Sequence, residues 1–201
     1  MSKTTFTQAL QNRRSCYKIN AKSPISDAQI EKIIDFALMT LPTAFNSQSS
    51  RLVLLLGEQH KKLWNGITLD ALRPLTPADH FPQTTAKINS FASGYGTVLF
   101  YEDQKVVQGL QAQFPTYANN FPGWARDASA MCQLTIWTML EDAGLGASLQ
   151  HYNPLIDAEI CKTWGIDSDW LLLSQMPFGG VVEMPNASDK QPVEGRRKFI
   201  K

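Results

Sequence analysis

The apolar positions of the chain switch between a helical period and short continuous runs, and each switch marks an element. In residues 4–14, Phe6, Ala9 and Leu10 share one helical face. Ser26-Asp27-Ala28-Gln29 is close to a capping box. It opens a second helix whose apolar face is Ile30, Ile33, Ile34, Ala37, Leu38 and Leu41, and Pro42 ends it. Residues 52–56 are a continuous apolar run, which predicts a buried strand. Residues 58–72 read as a helix, 75–82 as a loop and 83–93 as a helix. GTVLFY at 96–101 predicts a second buried strand, followed by a helix over 104–114 whose start carries Glu102 and Asp103. Residues 147–150 read as a short strand, and Asn153-Pro154 as the N-cap and first position of a further helix. WLLLSQM at 170–176 and GGVVE at 179–183 predict two more strands. The chain turns polar from Pro185, yet Phe199 and Ile200 predict that its end docks. Four or five strands among about seven helices, without strict βαβ alternation, predict an α+β fold.

The longest element is a helix predicted over 119–143. No charged residue occurs from 128 to 140. Trp124, Ala128, Met131, Cys132, Ile136, Met139, Leu140 and Ala143 recur at helical spacing, and Leu134 and Trp137 add a second apolar side. A helix apolar nearly all round is buried in a core or an interface. This one is too short and too polar, with Gln133, Thr135 and Thr138, to span a bilayer. Gly144 is placed as a left-handed C-cap and Gly146 permits a tight turn. The helix therefore delivers a strand end able to present backbone N–H groups to a ligand. The plainer reading is a core helix with a glycine cap.

Length and composition narrow the classes. A chain of 201 residues predicts one domain over 1–201. Charged residues are only 18%, with five Trp and ten Phe, which points to apolar surface covered by a partner subunit. A net charge of +1 gives no argument for nucleic acid or a membrane surface. The N-terminus lacks the apolar stretch of a signal peptide, and Cys16, Cys132 and Cys161 form no paired framework, so a reducing cytoplasm is expected. His60, His80 and His151 show no metal-ligand spacing, and no metal site is expected.

Chemistry concentrates at a few places. Arg13-Arg14-Ser15, at the end of the first helix, offers two guanidinium groups and a hydroxyl to a phosphate, or is simply a solvated helix end. Arg196-Arg197-Lys198 is a second cationic cluster, or a charged tail; together the two suggest one phosphate held from both ends of the chain. The polar loop at 42–50, PTAFNSQSS, carries amides of the kind that read a planar heterocycle, or is an ordinary turn. Cys16, beside two arginines but without a histidine-based partner, reads as inert. With no GxGxxG or P-loop, a cofactor is not held in the Rossmann manner.

Taken together and in order, RRSCYKI, PTAFNSQSSRLVLLL, SGYGTVLFYED, the long block ending in GLGASLQHYNPLID, and GRRKF resemble the nitroreductase family of FMN-dependent oxidoreductases. The likeness covers nearly the full chain, and GLGASLQHYNP is specific to the fatty-acid-repression-mutant-like subgroup of bacteria and yeasts. The resemblance implies a mostly antiparallel central sheet of four to five strands surrounded by helices. It also implies a homodimer with FMN at the subunit interface. By position, Arg13, Arg14 and Ser15 match phosphate and ribityl contacts, and Arg196 and Lys198 the C-terminal phosphate contacts. Pro42, Thr43, Asn46 and Gln48 match the loop bordering the flavin, part of it reaching from the partner. Ser148, Leu149 and Gln150 match the stretch whose backbone faces the flavin N5 and O4 edge, and Lys87 a polar contact to the pyrimidine side. Tyr17 stands where many members carry a second basic residue, so Lys87 or Lys18 must supply the charge there. The implied activity is ping-pong hydride transfer from NADH or NADPH to nitroaromatic or quinone acceptors, with the chemistry on the flavin and no catalytic nucleophile. A different class, a flavin-bound stress or lipid-signalling regulator with slow turnover, is the alternative.

Overall fold

A computed structural model describes residues 4–201. The elements run α1 (Phe6–Asn12), β1 (Ile19–Asn20), α2 (Asp27–Thr40), β2 (Ser50–Leu56) and α3 (Gly57–Lys61). A π-helical stretch (Lys62–Thr68) joins α3 to α4 (Leu69–Leu72), and α5 (Phe81–Ala92), β3 (Gly96–Asp103) and α6 (Gln104–Gln113) follow. The chain continues through α7 (Phe121–Asp142), β4 (Leu145–Ala147), α8 (Asp157–Trp164) and β5 (Trp170–Val181). The expected α+β arrangement is present, with five strands in the order β1-β5-β3-β2 and β4 added on β5. Every strand pair is antiparallel.

β5 is the spine of the sheet. Eight of its first nine residues pair with β3, from Asp103↔Trp170 to Gly96↔Phe178, with Leu173 passed over where the register shifts between Phe100 and Tyr101. Its end is flanked by β1 (Asn20↔Gly180) and by β4 (Leu145↔Gly180). All eight residues of β3 are buried, as a strand covered on both faces requires. Alternation sends Val98 and Phe100 to one side, against Ile30 and Ala37 of α2 and Cys132, Ile136 and Leu140 of α7. Leu99 and Tyr101 go to the other side, against Trp64, Phe91 of α5 and Ile160 of α8. The sheet is thus a middle layer between two helical layers.

Several expectations hold in detail. Gln29 closes the second helix start by accepting from the Ser26 N–H at 3.0 Å. Gly144 sits at φ 86 just past α7. Others need correction. The two strands predicted at 170–176 and 179–183 are one strand of twelve residues. Gly179-Gly180 does not break it, because the missing side chains let other backbone approach; a Cβ at Gly179 would lie 2.3 Å from the Asn20 carbonyl oxygen. The helix expected at Asn153-Pro154 begins at Asp157 instead. Asn153 does not cap it, since its Oδ1 accepts from Gln175 Nε2 at 3.1 Å, and the Asn153–Pro154 bond is cis. The helix over 58–72 is interrupted by the π-helical stretch, and β1 was not expected. Within one chain α7 is not buried all round: Met131 and Leu134 are 39% and 43% exposed. Among the described residues no helix is long and apolar enough to cross a membrane, and no group of three His, Cys, Asp or Glu could hold a metal.

Candidate functional site

The first cationic cluster is built onto the sheet. The chain leaves α1 at Arg13, runs beside β4 through a parallel bridge of Ser15 with Ala147, and ties the Cys16 N–H to the Ala147 carbonyl at 2.9 Å. This approach needs a glycine opposite: a Cβ on Gly146 would lie 2.8 Å from both Cys16 Cβ and Val181 Cγ2. The Arg13 guanidinium lies 4.2 Å over the Trp137 ring of α7, and its buried Nε has no hydrogen-bond partner. Arg14 donates to the Arg13 carbonyl at 2.9 Å and to that of Gln11. Burial raises the Glu141 carboxyl, and Arg14 and Arg13 oppose that rise. Burial, with Glu141 adding to it, likewise pushes the Cys16 thiol up, which keeps this cysteine protonated and inert.

Past β4 the same edge continues through Ser148, Leu149 and Gln150. The N–H groups of Ser148 and Gln150 are spent on β5, on the carbonyls of Pro177 (3.2 Å) and Gln175 (2.7 Å). Tyr152 N–H is spent on Gln175 Oε1 at 2.8 Å. Leu149 and His151 alternate with these, and their N–H groups carry no hydrogen bond among the described residues. Two residues that the sequence reading passed over therefore belong here. His151 supplies the second free donor. Gln175, fully buried, holds the segment through its backbone and its amide. The signal for Gln175 was a lone amide within the apolar run WLLLSQM.

Tyr17 is half exposed, with its ring 6.3 Å from Phe91 of α5. Lys87 is exposed and lies one helical turn before Phe91, so both residues border the same part of α5. Lys18 pairs with Glu183.

The loop at 42–48 lies elsewhere. Pro42 is exposed, and Thr43 Oγ1 accepts from the Gln48 N–H at 3.0 Å. Phe45, Asn46 and Gln48 all take positive φ, at 55, 50 and 47. The Phe45 ring sits among Phe114, Tyr117, Phe121 and Trp124, at 4.8 to 5.8 Å between centroids. Thr43 and Gln48 also edge a cleft of 310 Å³ that reaches Cys132. Ser148 is held at Pro177, opposite Thr97, whereas Ser49 is held at Asp103 on the far end of the same strand. Six residue steps along β3 separate those anchors, roughly 20 Å. Arg196 and Lys198 lie in the exposed tail. The Arg196 hydrogen bonds are local, to Gln191 and Val193, and no hydrogen bond or ion pair joins the tail cations to Arg13.

One chain thus brings Arg13, Arg14, Ser15, Tyr17 and Ser148–Gln150 to one end of the sheet and leaves Pro42–Gln48 and the tail apart, with Lys87 exposed on α5. The family model described as the Nitroreductase family matches residues 10–180. The Saccharomyces cerevisiae protein HBN1 is 37% identical over 177 residues, 87% of each chain. The nitroreductase FRM2 of the same yeast is 31% identical over 182 residues, 90% of each chain. The structure of the nitroreductase CinD from Lactococcus lactis, solved with chloramphenicol, is 36% identical and superposes with a TM-score of 0.89, over 98% of this chain and 100% of that one. CinD has also been solved with 4-nitrophenol and with nicotinic acid. With the model match spanning most of the sequence and the same fold in CinD, this chain belongs to the nitroreductase family.

Proposed function

We propose that the chain is an FMN-dependent NAD(P)H oxidoreductase that reduces nitroaromatic or quinone acceptors, with the cofactor bound between two copies of the chain. Membership of the family supports an oxidoreductase of the nitroreductase kind. The observation that carries the finer reading is the continuous edge from Arg13 to His151, zipped together by the Ser15–Ala147 bridge. It offers two cations at one end and two free N–H donors at the other.

The residues fit FMN on three counts. The Arg13 Nε is buried without a partner, which an anion would relieve. Gly146 keeps the cradle between Cys16 and Val181 narrow. The Leu149 and His151 donors suit the carbonyl and ring nitrogens of a flavin edge. Arg13, Arg14 and Ser15 would hold the phosphate and ribityl chain, Ser148–His151 the ring edge, and Arg196 and Lys198 the phosphate from the tail. Pro42, Thr43, Asn46 and Gln48 would come from a second copy, because the loop and the cradle of one chain lie ~20 Å apart. With Lys18 engaged by Glu183, Lys87 is the cation left to favour negative charge on the pyrimidine side, where Tyr17 replaces a basic residue.

When bound, the cofactor supplies a two-electron carrier that takes hydride from NAD(P)H and gives it to an acceptor at the same place. The chain's own work is to bind, orient and screen. The nitrophenyl group shared by chloramphenicol and 4-nitrophenol, both solved with CinD, supports nitroaromatic acceptors for this chain. A homodimer is part of the proposal. Phe6, Leu10, Phe36, Met39, Met131 and Leu134 expose apolar surface on α1, α2 and α7 in one chain, and Phe199 and Ile200 do so in the tail.

The test is the absorbance spectrum of the pure protein, followed by release of its chromophore under mild denaturation. A flavin spectrum, free FMN on release, and bleaching by NADH or NADPH with recovery on adding 4-nitrophenol or a quinone are expected. A colourless protein that takes up no added FMN, or one that releases FAD, sinks the reading.

A further inference from the structure

The loop assigned to the cofactor holds three non-glycine residues, Phe45, Asn46 and Gln48, in the left-handed region. Such backbone is costly and persists only where the surroundings over-determine it. Two anchors do so here. One is the aromatic cage on Phe45. The other lies directly after Gln48. Ser49 Oγ donates to one oxygen of Glu102 and Ser50 Oγ to the other, both at 2.5 Å. Asp103 N–H ties the Ser49 carbonyl at 2.9 Å, and Arg51 bridges the Gln48 carbonyl (2.8 Å) to Asp103 (2.9 Å).

Glu102 is out of place by the logic of the core. It is 1% exposed and follows Val98 and Phe100 on the face of β3 that packs against α2 and α7. An apolar side chain would pack there without the cost of burying a carboxyl group. What that carboxyl adds is two acceptor oxygens aimed at consecutive hydroxyls at the root of the loop. An apolar replacement would remove the 2.5 Å acceptor of the buried Ser49 hydroxyl and leave it only Ser47 Oγ, 3.5 Å away.

We infer that Glu102 is a positioning residue: by clamping Ser49 and Ser50 it fixes the strained backbone of 45–48 and so sets where Asn46 and Gln48 are presented to the flavin and acceptor. This rests on the proposed function for the loop's role, but the clamp itself does not. Glu102 touches neither cofactor nor acceptor in this assignment; it acts through the two serines.

The test compares wild type with Glu102→Gln and, as a milder change, Ser50→Ala. Hydrogen exchange is read at the amides of Asn46, Ser47 and Gln48, each of which is hydrogen-bonded within the loop. FMN affinity and the acceptor KM and kcat are measured on the same proteins. In Glu102→Gln the loop amides are expected to exchange about tenfold faster, the effect of losing one hydrogen bond to a charged group. The β2–β3 ladder stays protected, and acceptor KM or FMN Kd rises about fivefold by the same loss. Ser50→Ala moves both readouts in the same direction by less. Unchanged loop exchange in Glu102→Gln overturns the clamp. Faster exchange with unchanged Kd, KM and kcat makes Glu102 a stability residue only and overturns the positioning role. If wild type binds no FMN, the proposed function fails on that measurement and the assignment to the site falls with it, whatever the exchange data say.

Discussion

The guanidinium of Arg13 is stacked 4.2 Å over the indole of Trp137, with its Nε buried and unpaired. The side chain is therefore fixed before any anion arrives. Arg13→Ala should cost FMN about 2 kcal/mol, roughly thirtyfold in affinity. Arg13→Lys should recover only part of this, because an ammonium cannot stack and donate in the same way. Flavin-to-protein absorbance and titration with added FMN check both variants; full occupancy in an Arg13→Ala/Arg196→Ala double variant ends the phosphate assignment.

Gly146 is expected to tolerate no side chain. Gly146→Ala drives a methyl into Cys16 and Val181, each 2.8 Å from the new atom. Both walls belong to the sheet and its edge, so the chain at Ser15 must move. A loss of about 1–3 kcal/mol in urea unfolding is expected from overpacking, together with depleted flavin. A variant as stable and as yellow as wild type would show that the edge can open without consequence.

Gln48 should show the opposite balance. Its φ of 47 is strained for a side chain that is itself exposed. Gln48→Gly removes that strain and should melt no lower than wild type, gaining up to ~1 kcal/mol. The same change removes an amide from the proposed cofactor loop, so FMN or acceptor binding should weaken. Loss of stability by more than ~1 kcal/mol would mean that the amide, not the backbone, matters to the fold.

Met131 and Leu134 test the dimer. Both are exposed in one chain on a helix that also carries the core residues Cys132, Ile136 and Leu140. Leu134→Asp on a free surface should change stability by within ~0.5 kcal/mol. On a subunit interface it should give monomers in sedimentation at micromolar concentration and release the flavin. A wild-type monomer that retains flavin and turnover would remove the dimer from the proposal.

His60 sets an acid limit. Its Nδ1 is 2.8 Å from Thr97 Oγ1, which accepts from Trp64 Nε1 at 2.9 Å. Burial lowers its pKa to about 4, opposed in part by the nearby backbone of Ala92 and Phe91. Below the unfolded value of 6.5 the unfolded chain binds a proton that the folded chain refuses. Stability is therefore full above pH 6.5 and falls as pH drops towards 4, by about 3 kcal/mol in all. His60→Asn keeps an acceptor for Thr97 without the titration. Its urea midpoint should be lower at pH 7 but flatter between pH 6.5 and 4; equal slopes in the two proteins would rule out His60 as the cause.

Much of this protein is legible in its residues. The run 52–56, GTVLFY and the charge-poor stretch 128–140 each carry enough apolar periodicity to place β2, β3 and α7, and Ser26/Gln29 and Gly144 mark ends through local chemistry alone. The candidate residues were also readable, since Arg13-Arg14-Ser15 and the GASLQHYN stretch resemble family segments. Local sequence could not decide what depends on distant partners. Gly179-Gly180 signals a break, yet strands on both sides hold it extended. Asn153 signals a helix cap, yet Gln175 takes its amide. The free donors at Leu149 and His151 are defined only by which neighbours β5 has already used. Glu102 reads in FYED as an acid at a helix start until burial and two serines give it another place. Periodicity and caps are set within a turn or two of chain, so sequence determines them; pairing, burial and hydrogen-bond accounting are set across the sheet, and only the tertiary structure decides them.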